Sequence, residues 1–364
     1  MCAVLQIGLI CRLCLPPLDA AQVVALPAGI ADSVAAVATW DNGHGLRILH
    51  YDGAQRRFQF TGHARAEALV WCAGCGIVML GDGDIAALSF AGCTPERTSL
   101  GIGPRAVRAA VTVSESRLAV IAGGRYAGNM LQDARPALWE ITPKCRKLWN
   151  AGSSHINSQF VASGRLNGAE SLLVGVHRSA VFDPQPRLRP WIYRLQGAGL
   201  VPLWKGTTFS RPYITAAFAD VCPESVDDEV CVLELTRAGQ RQISVYAWHG
   251  FVMEGIARSS PAPYGDTLRS RRGPSPGSDA VYVWKGAEYG WIVGLGAPDC
   301  THGRETMLQV LHASRRIERP LAWDVGQREA EPVAFVLTRH GELVCVPLAT
   351  CAAKELAGIG RSRL

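Results

Sequence analysis

Apolar and polar positions alternate along this chain in short bursts, and the bursts recur. The runs SVAAVATW (33–40), GIVMLGDG (76–83), RLAVIAGG (117–124), ESLLVGVH (170–177), EVCVLELT (229–236), DAVYVWKG (279–286) and EPVAFVLT (331–338) are rich in Val, Ile and Leu and bounded by Gly, Pro, Asp and Asn. That is the pattern of β-strands between tight turns. No window sustains a helical period. Each run is followed by a second strand, as in LRILHYDG (46–53) or IAALSFAG (85–92), and then by a shorter piece. Most are preceded by a strand as well, as in EALVWC (67–72) or YITAAFADV (213–221). Successive runs start 41 to 59 residues apart. The repeat predicts an all-β fold, a seven-bladed β-propeller of four-stranded antiparallel blades, with six or eight as the neighbouring counts. Such a blade cannot bury both faces alone, and closing the ring buries them against neighbours. The whole of 21–360 reads as one domain. QVVALPAGI (22–30) falls outside the repeating units and is expected to latch the ring as an outer strand of the last blade.

On that plan the second-to-third-strand connections of every blade open on one face. Three of them read as long: GGRYAGNMLQDARP (123–136) in blade three, HRSAVFDPQPRLRP (177–190) in blade four and KGAEYGWIVGLGAPDCTHGRE (285–305) in blade six. Long connections inside compact domains are uncommon without a function. These carry Arg125, Tyr126, Arg135, Arg178, Phe182, Arg187, Arg189, Tyr289, Trp291, His302 and Arg304. Arginine among aromatics is the composition of interaction hot spots. One face over blades three to six is therefore the candidate surface for an acidic protein or a carbohydrate partner. The alternative is a set of solvated decorations whose aromatics pack them down onto the disc. RRGPSPGSD (271–279) reads as a first-to-second-strand loop on the opposite face.

With 48% hydrophobic and 19% charged residues in 364, the chain is too apolar for a disordered protein. Its net charge of +6 comes almost wholly from arginine, the acids are dispersed among them, and no basic run exceeds RSRRG (269–273). Nucleic acid is not an expected partner. The sequence lacks H-E-x-x-H and the phosphate-binding G-x-x-x-x-G-K-[ST]. The reading is a monomeric, non-catalytic recognition propeller. A hydrolase or lyase with its site in the central channel is one alternative. An intracellular WD-like scaffold is a second, carried by 62–84 and opposed by the missing Trp-Asp dipeptides at the ends of the other blades' third strands.

Residues 1–20 hold a short apolar run without a basic start, read either as a signal-like leader or as a first strand. A leader would place the protein in the periplasm or outside the cell; the cytoplasm is the alternative. The run is too short to cross a bilayer, and no other segment is a transmembrane candidate. Of the 12 cysteines, Cys11-x-x-Cys14 and Cys72-x-x-Cys75 have zinc-ribbon spacing, to be weighed against disulfides and buried thiols.

One stretch, AFADVCPESVDDEVCVLEL (217–235), carries an acidic loop. Laid on the calcium pattern D-x-D-x-D-G-x-x-D, it keeps acids at Asp220, Glu224 and Asp228, but Cys222 and Ser225 stand where Asp and Gly belong. The segment resembles the FG-GAP/VCBS repeat family, the calcium-loop propellers that include integrin α-subunit heads. The likeness extends to Asn167 and Glu170 in 162–176, and to Asp324, Glu329 and Glu331 in 322–336. It implies the propeller fold and calcium as the family's ion, in a loop here so decayed that no cofactor is expected. Cys222 and Cys231 then stand either as a disulfide pinning this hairpin in the ion's place or as two buried thiols.

Overall fold

The computed structural model describes residues 22–26, 34–40, 45–50, 55–58, 66–81, 83–91, 94–128, 130–141, 145–152, 156–271, 275–297, 305–328, 331–338, 340 and 342–350. Among them there is no helix, and so none long and apolar enough to cross a membrane. Each sheet is an antiparallel meander of strands consecutive in the chain. The first holds β1 (Gln22–Ala25), β2 (Val34–Trp40), β3 (Gly45–His50) and β4 (Gln55–Phe58); the second β5 (Ala68–Cys72), β6 (Gly76–Gly81), β7 (Asp84–Ala91) and β8 (Thr94–Ile102). The third has β9 (Val107–Ser114) and β10 (Arg117–Ala122), then a projecting hairpin of β11 (Arg125–Ala127) and β12 (Met130–Gln132), then β13 (Arg135–Glu140) and β14 (Arg146–Asn150). In the fourth, β15 (Ser158–Leu166) is followed by two long strands, β16 (Ala169–Ala180) and β17 (Asp183–Gln196), and by β18 (Gly199–Lys205). The fifth is β19 (Tyr213–Ala219), β20 (Glu229–Leu235), β21 (Arg241–Trp248) and β22 (Met253–Arg258).

The sixth sheet is built from β23 (Tyr264–Arg271), β24 (Ala280–Gly286), β25 (Tyr289–Gly296) and, after β26 (Thr306–Met307), β27 (Gln309–Ser314), with β28 (Ile317–Glu318) also on β25. The last has β29 (Ala322–Arg328), β30 (Glu331–Leu337) and β31 (Leu343–Thr350). Two outer-edge pairings stitch these sheets together. β26 adds in parallel to β22 of the fifth sheet, and β27 pairs with β31 of the last.

The first strands of the sheets touch in the order β1, β5, β9, β15, β19, β23, β29, and β29 returns to β1. The second strand of each sheet explains why. Its two faces both meet apolar surface, so it reads as a continuous hydrophobic run rather than an alternating one. In β10, Leu118 and Val120 pack toward Val78 and Leu80 of the second sheet, while Ala119 packs with Leu172 and Val174 of the fourth. In β20, Val230 and Val232 join Leu173 and Ile192, and Cys231 and Leu233 join Val281 and Val283. In β24, Tyr282 and Trp284 face Ala334 and Val336; Phe335 and Leu337 of β30 then face Ala36 and Ala38 of β2. Each such Leu, Ile or Val contributes about 1.5–3 kcal/mol by leaving water.

Carboxylates add polar staples between adjacent sheets. Glu67 accepts the Val107 N–H (2.6 Å), Asp228 that of Arg165 (2.7 Å), Asp279 that of Asp220 (2.9 Å) and Asp324 that of Ala25 (2.9 Å). The last joins the two ends of the ring.

Two sequence expectations are corrected here. β1 is not an outer strand of the last sheet: it pairs with β2, Gln22 opposite Thr39 and Ala25 opposite Ala36. Val24 and Leu26, 8% and 1% exposed, obtain burial at this inner position that an outer edge would not give. In the sixth sheet, residues 289–296 are a strand rather than part of a long second-to-third connection. The long excursion instead lies between β25 and β27, at the opposite end of the sheet. The leader of residues 1–20, with Cys11 and Cys14, lies outside the described residues.

Candidate interaction face

Two structures rise from the same end of the third and fourth sheets, because both are second-to-third-strand connections. One is the β11–β12 hairpin. The other is not a loop at all: β16 and β17 continue their pairing beyond the sheet as a ribbon, from Val176 opposite Arg189 to Ala180 opposite Asp183, turning over Val181 and Phe182. The segment entering β15 holds both. Asn157 accepts the Asp133 N–H (3.0 Å) and donates to the His177 carbonyl (3.2 Å). Gln159 forms a strand-like pair of bonds with the backbone of Leu131, accepting its N–H at 3.0 Å and donating to its carbonyl at 2.7 Å. Neither residue stood out in the sequence, where a polar residue at the entry to a strand is ordinary.

Arg189 was expected to bind a partner; the structure buries it. It is 1% exposed. Its guanidinium donates to the carbonyls of Arg178 (3.1 Å), Asp183 (3.1 Å), Gln185 (2.9 Å) and Thr207, and pairs with the Asp183 carboxylate at 2.9 Å. Those contacts match the five N–H groups a guanidinium owns. Arg189 therefore pins the ribbon to the linker that enters the fifth sheet. Burial alone would raise the Asp183 carboxyl, but the Arg189 and Arg187 charges outweigh it and hold the group below the usual carboxylate range.

The other predicted residues divide. Arg178 is exposed, its guanidinium 5.4 Å from the Trp191 ring centroid, with the Lys205 ammonium 4.7 Å from the same ring. Arg187 lies opposite Arg178 in the ribbon and pairs with Asp183 at 3.2 Å. Arg125 is exposed, whereas Tyr126 is half-buried against Leu131 and Ala134 beneath the Arg108 guanidinium. Tyr126 thus behaves as the packing alternative required. Tyr289 and Trp291 belong to β25, roofed by Arg316 at 5.7 and 6.0 Å, and the fifth sheet separates them from the ribbon. His302 and Arg304 lie outside the described residues. At the tip of the ribbon stand Phe182, one of the predicted residues, and its neighbour Val181, 93% and 92% exposed.

The acidic loop sits at the other end of the ring, and the carboxylates of Asp227, Asp228 and Glu229 are turned onto backbone amides. Asp227 accepts from Asn167 (2.6 Å) and Gly168 (2.8 Å) of the fourth sheet's turn, and Asp228 from Arg165. Asp220 exchanges backbone contacts with Asp279, and Glu224 is exposed. Among the described residues no group of His, Cys, Asp and Glu gathers to hold a metal ion. Glu229 accepts from Val221 (2.9 Å) and Cys222 (3.2 Å), and burial pushes its carboxyl up to about 7. Cys222 and Cys231 are both buried and are not joined in a disulfide. Cys231 stands opposite Ala217, whereas Cys222 lies beyond the last rung of that ladder, Ala219 with Glu229. Burial raises the Cys231 thiol well above its ordinary range.

Thr112, Ser163, Arg165, Glu170, Asp228 and Asp279 help to line a cavity of about 250 Å³ at this end. The enzymatic alternative asks for channel-lining acids of shifted acidity. Three acids are raised by burial, and each is engaged: Glu229 on the Val221 and Cys222 amides, Asp266 with Arg241, and Asp324 with the Ala25 N–H and Arg269. In the second sheet, Cys72 and Cys75 close the β5–β6 turn as thiols, and Cys72 donates to the Glu115 carbonyl (2.6 Å).

No protein-family model matches this chain, and no curated protein sequence does. Among solved structures it is similar to BBS1N, crystallised in complex with ARL6DN, with a TM-score of 0.52 and 13% identity over 92% of this chain and 97% of that one. At that identity the likeness speaks for the fold alone. The chain is a β-propeller. The sheets are its blades, their first strands line the axis, and the hairpin and ribbon of blades three and four stand on one face of the disc.

Proposed function

We propose that this is a seven-bladed, non-catalytic interaction propeller that binds a protein partner through the face carrying the β11–β12 hairpin and the β16–β17 ribbon. The observation that carries the reading is the construction of the ribbon. A buried guanidinium with all its donors engaged is spent on holding a strand pair clear of the sheet that would otherwise end it, and the pair presents arginines and an apolar tip. Rigid, pre-organised projections reduce the ordering cost of binding. The likeness to BBS1N, solved bound to another protein, supports the same use. The closed succession of first-strand contacts supports the blade count.

The test places the photo-crosslinking amino acid p-benzoylphenylalanine in the full chain, in the cells that make it, at Arg125 on this face or at Phe251. Phe251 is 82% exposed in the β21–β22 turn at the opposite end. The expected result is a discrete crosslinked protein from position 125 and none from 251. Crosslinking from 251 with none from 125 would overturn the face.

A further inference from the structure

The two residues that turn the ribbon are the wrong ones for a turn. Two-residue hairpin connections favour Asn-Gly, Asp-Gly or Gly-X, which supply the backbone conformations required and tolerate water. Here the positions hold Val181 and Phe182, each more than nine-tenths exposed. The chain uses the favoured pair elsewhere: Asn167-Gly168 turns β15 into β16, with φ of 54° and 69°. An apolar pair in a turn costs solubility and gains nothing in this chain's own fold, since neither side chain packs on it.

The ribbon beneath the tip narrows what can bind. Pro184, Pro186 and Pro190 occupy alternate positions of β17, the side of the strand facing away from β16. Pro190 confirms the geometry, its carbonyl accepting the Gly206 N–H on that outer side (2.9 Å). Prolines remove the amide donors a partner strand would need, so this edge is closed to strand addition. The end of the ribbon, not its side, is left for contact. Just behind the tip, Arg178 and Arg187 stand directly opposite one another. Like charges in that relation are unfavourable within a sheet. Asp183 is the sole acid from His177 to Arg211, against Arg178, Arg187, Arg189, Arg194, Lys205 and Arg211, and it is committed to Arg187 and Arg189.

We infer that the Val181–Phe182 tip is an insertion anchor for a protein whose receiving pocket is apolar and rimmed by Asp or Glu, with Phe182 seated in the pocket and Arg178 and Arg187 meeting the rim. Aromatic anchors flanked by arginine dominate the energetics of such contacts. The paired arginines set its ionic-strength dependence. This inference rests on the protein-binding reading above and adds the contact and the chemistry of the partner.

The experiment uses p-benzoylphenylalanine at position 182 in parallel with position 125, with crosslinked peptides mapped by mass spectrometry. The same partner is expected from both positions. Its peptide at 182 should be apolar with flanking Asp or Glu, and the yield should fall in Arg178→Glu/Arg187→Glu chains and with added salt. With the captured partner purified, Phe182→Ala should weaken its binding about tenfold or more, and Phe182→Leu less. Folding is checked by the unchanged hydrogen exchange of residues 183–196. Capture from 125 but not from 182 would overturn the anchor and leave the protein-binding face standing; capture from neither would remove both. Crosslinks from 182 to lipid, to a second copy of this chain, or to a peptide without acids would also overturn the inference.

Discussion

Arg189 shows why a residue type does not announce its use. Arginine in an apparent loop reads as a free charge, yet here the side chain is an internal brace whose removal would leave four carbonyls and the Asp183 carboxylate without it. Breaking a buried ion pair from one side costs about 3–5 kcal/mol. Arg189→Ala is therefore expected to lose stability of that order in denaturant titration, with hydrogen exchange rising first across 176–190. Arg189→Lys should restore only part, because an ammonium offers three donors and no planar fork. Equal recovery by lysine would mean that charge alone does the holding. His312 is a second case. It stacks on Tyr282 at 6.1 Å, its Nδ1 is buried without a hydrogen-bond partner among the described residues, and burial, aided by Arg271 and opposed by Glu331, holds it below the ordinary histidine value. A depressed folded value means that the unfolded chain takes up the proton first. The stability contributed is complete above the unfolded value of about 6.5 and is lost as pH falls through it toward the folded value. His312→Phe keeps the stack and removes the titration. The wild type should therefore lose stability relative to this variant on acidification below about pH 6.5, and parallel pH profiles would refute the assignment.

At the level of the element, what the sequence disclosed depended on whether local pattern and tertiary use agreed. The second strands of the blades were plain because burial on both faces leaves an unbroken apolar run, as in β20 and β30. β25 was hidden by its own glycines. Gly290, Gly294 and Gly296 read as a flexible connection, yet a Cβ on Gly294 would stand 2.6 Å from the Tyr282 ring and one on Gly296 2.5 Å from Leu311. Gly294 and Gly296 are glycines because neighbouring side chains lie across the strand, and Gly290 because the Lys285 backbone does, facts no local pattern contains. The ribbon was hidden by its prolines, which forbid a central strand but not the free side of an edge. In the acidic loop, an acid outside the calcium-like positions holds the neighbouring blade: both oxygens of Asp227 take the N–H groups of the Asn167-Gly168 turn. Asp227→Ala should then cost about 1–3 kcal/mol, since two donors lose a charged acceptor. Its exchange signature should appear in 165–170 of blade four rather than in its own loop. If protection is lost only within 220–229, the inter-blade role is wrong.

For the whole molecule, closure is the step the chain cannot make by proximity. Every other neighbouring pair of blades is joined by a linker, but the last and first are separated by nearly the whole sequence and must find one another. Among the described residues no strand is exchanged across this joint. It is made by Phe335 and Leu337 packing on Ala36 and Ala38, and by the Asp324 carboxylate accepting the Ala25 N–H at 2.9 Å while the Arg269 guanidinium lies 3.6 Å from its other oxygen. A joint without covalent support is where a ring should open first, in a sub-global step below the free energy of complete unfolding. Asp324→Ala removes the acceptor and should cost about 1–3 kcal/mol. The loss should be uneven: exchange should accelerate together in β1, β2, β29 and β30 and leave β15–β22 on the far side at wild-type rates under native conditions. Asp324→Asn keeps an oxygen for Ala25 but surrenders the charge facing Arg269, and should fall between the two. A uniform acceleration in every blade would show that the ring opens only by unfolding altogether, and that this carboxylate is one staple among several rather than the clasp.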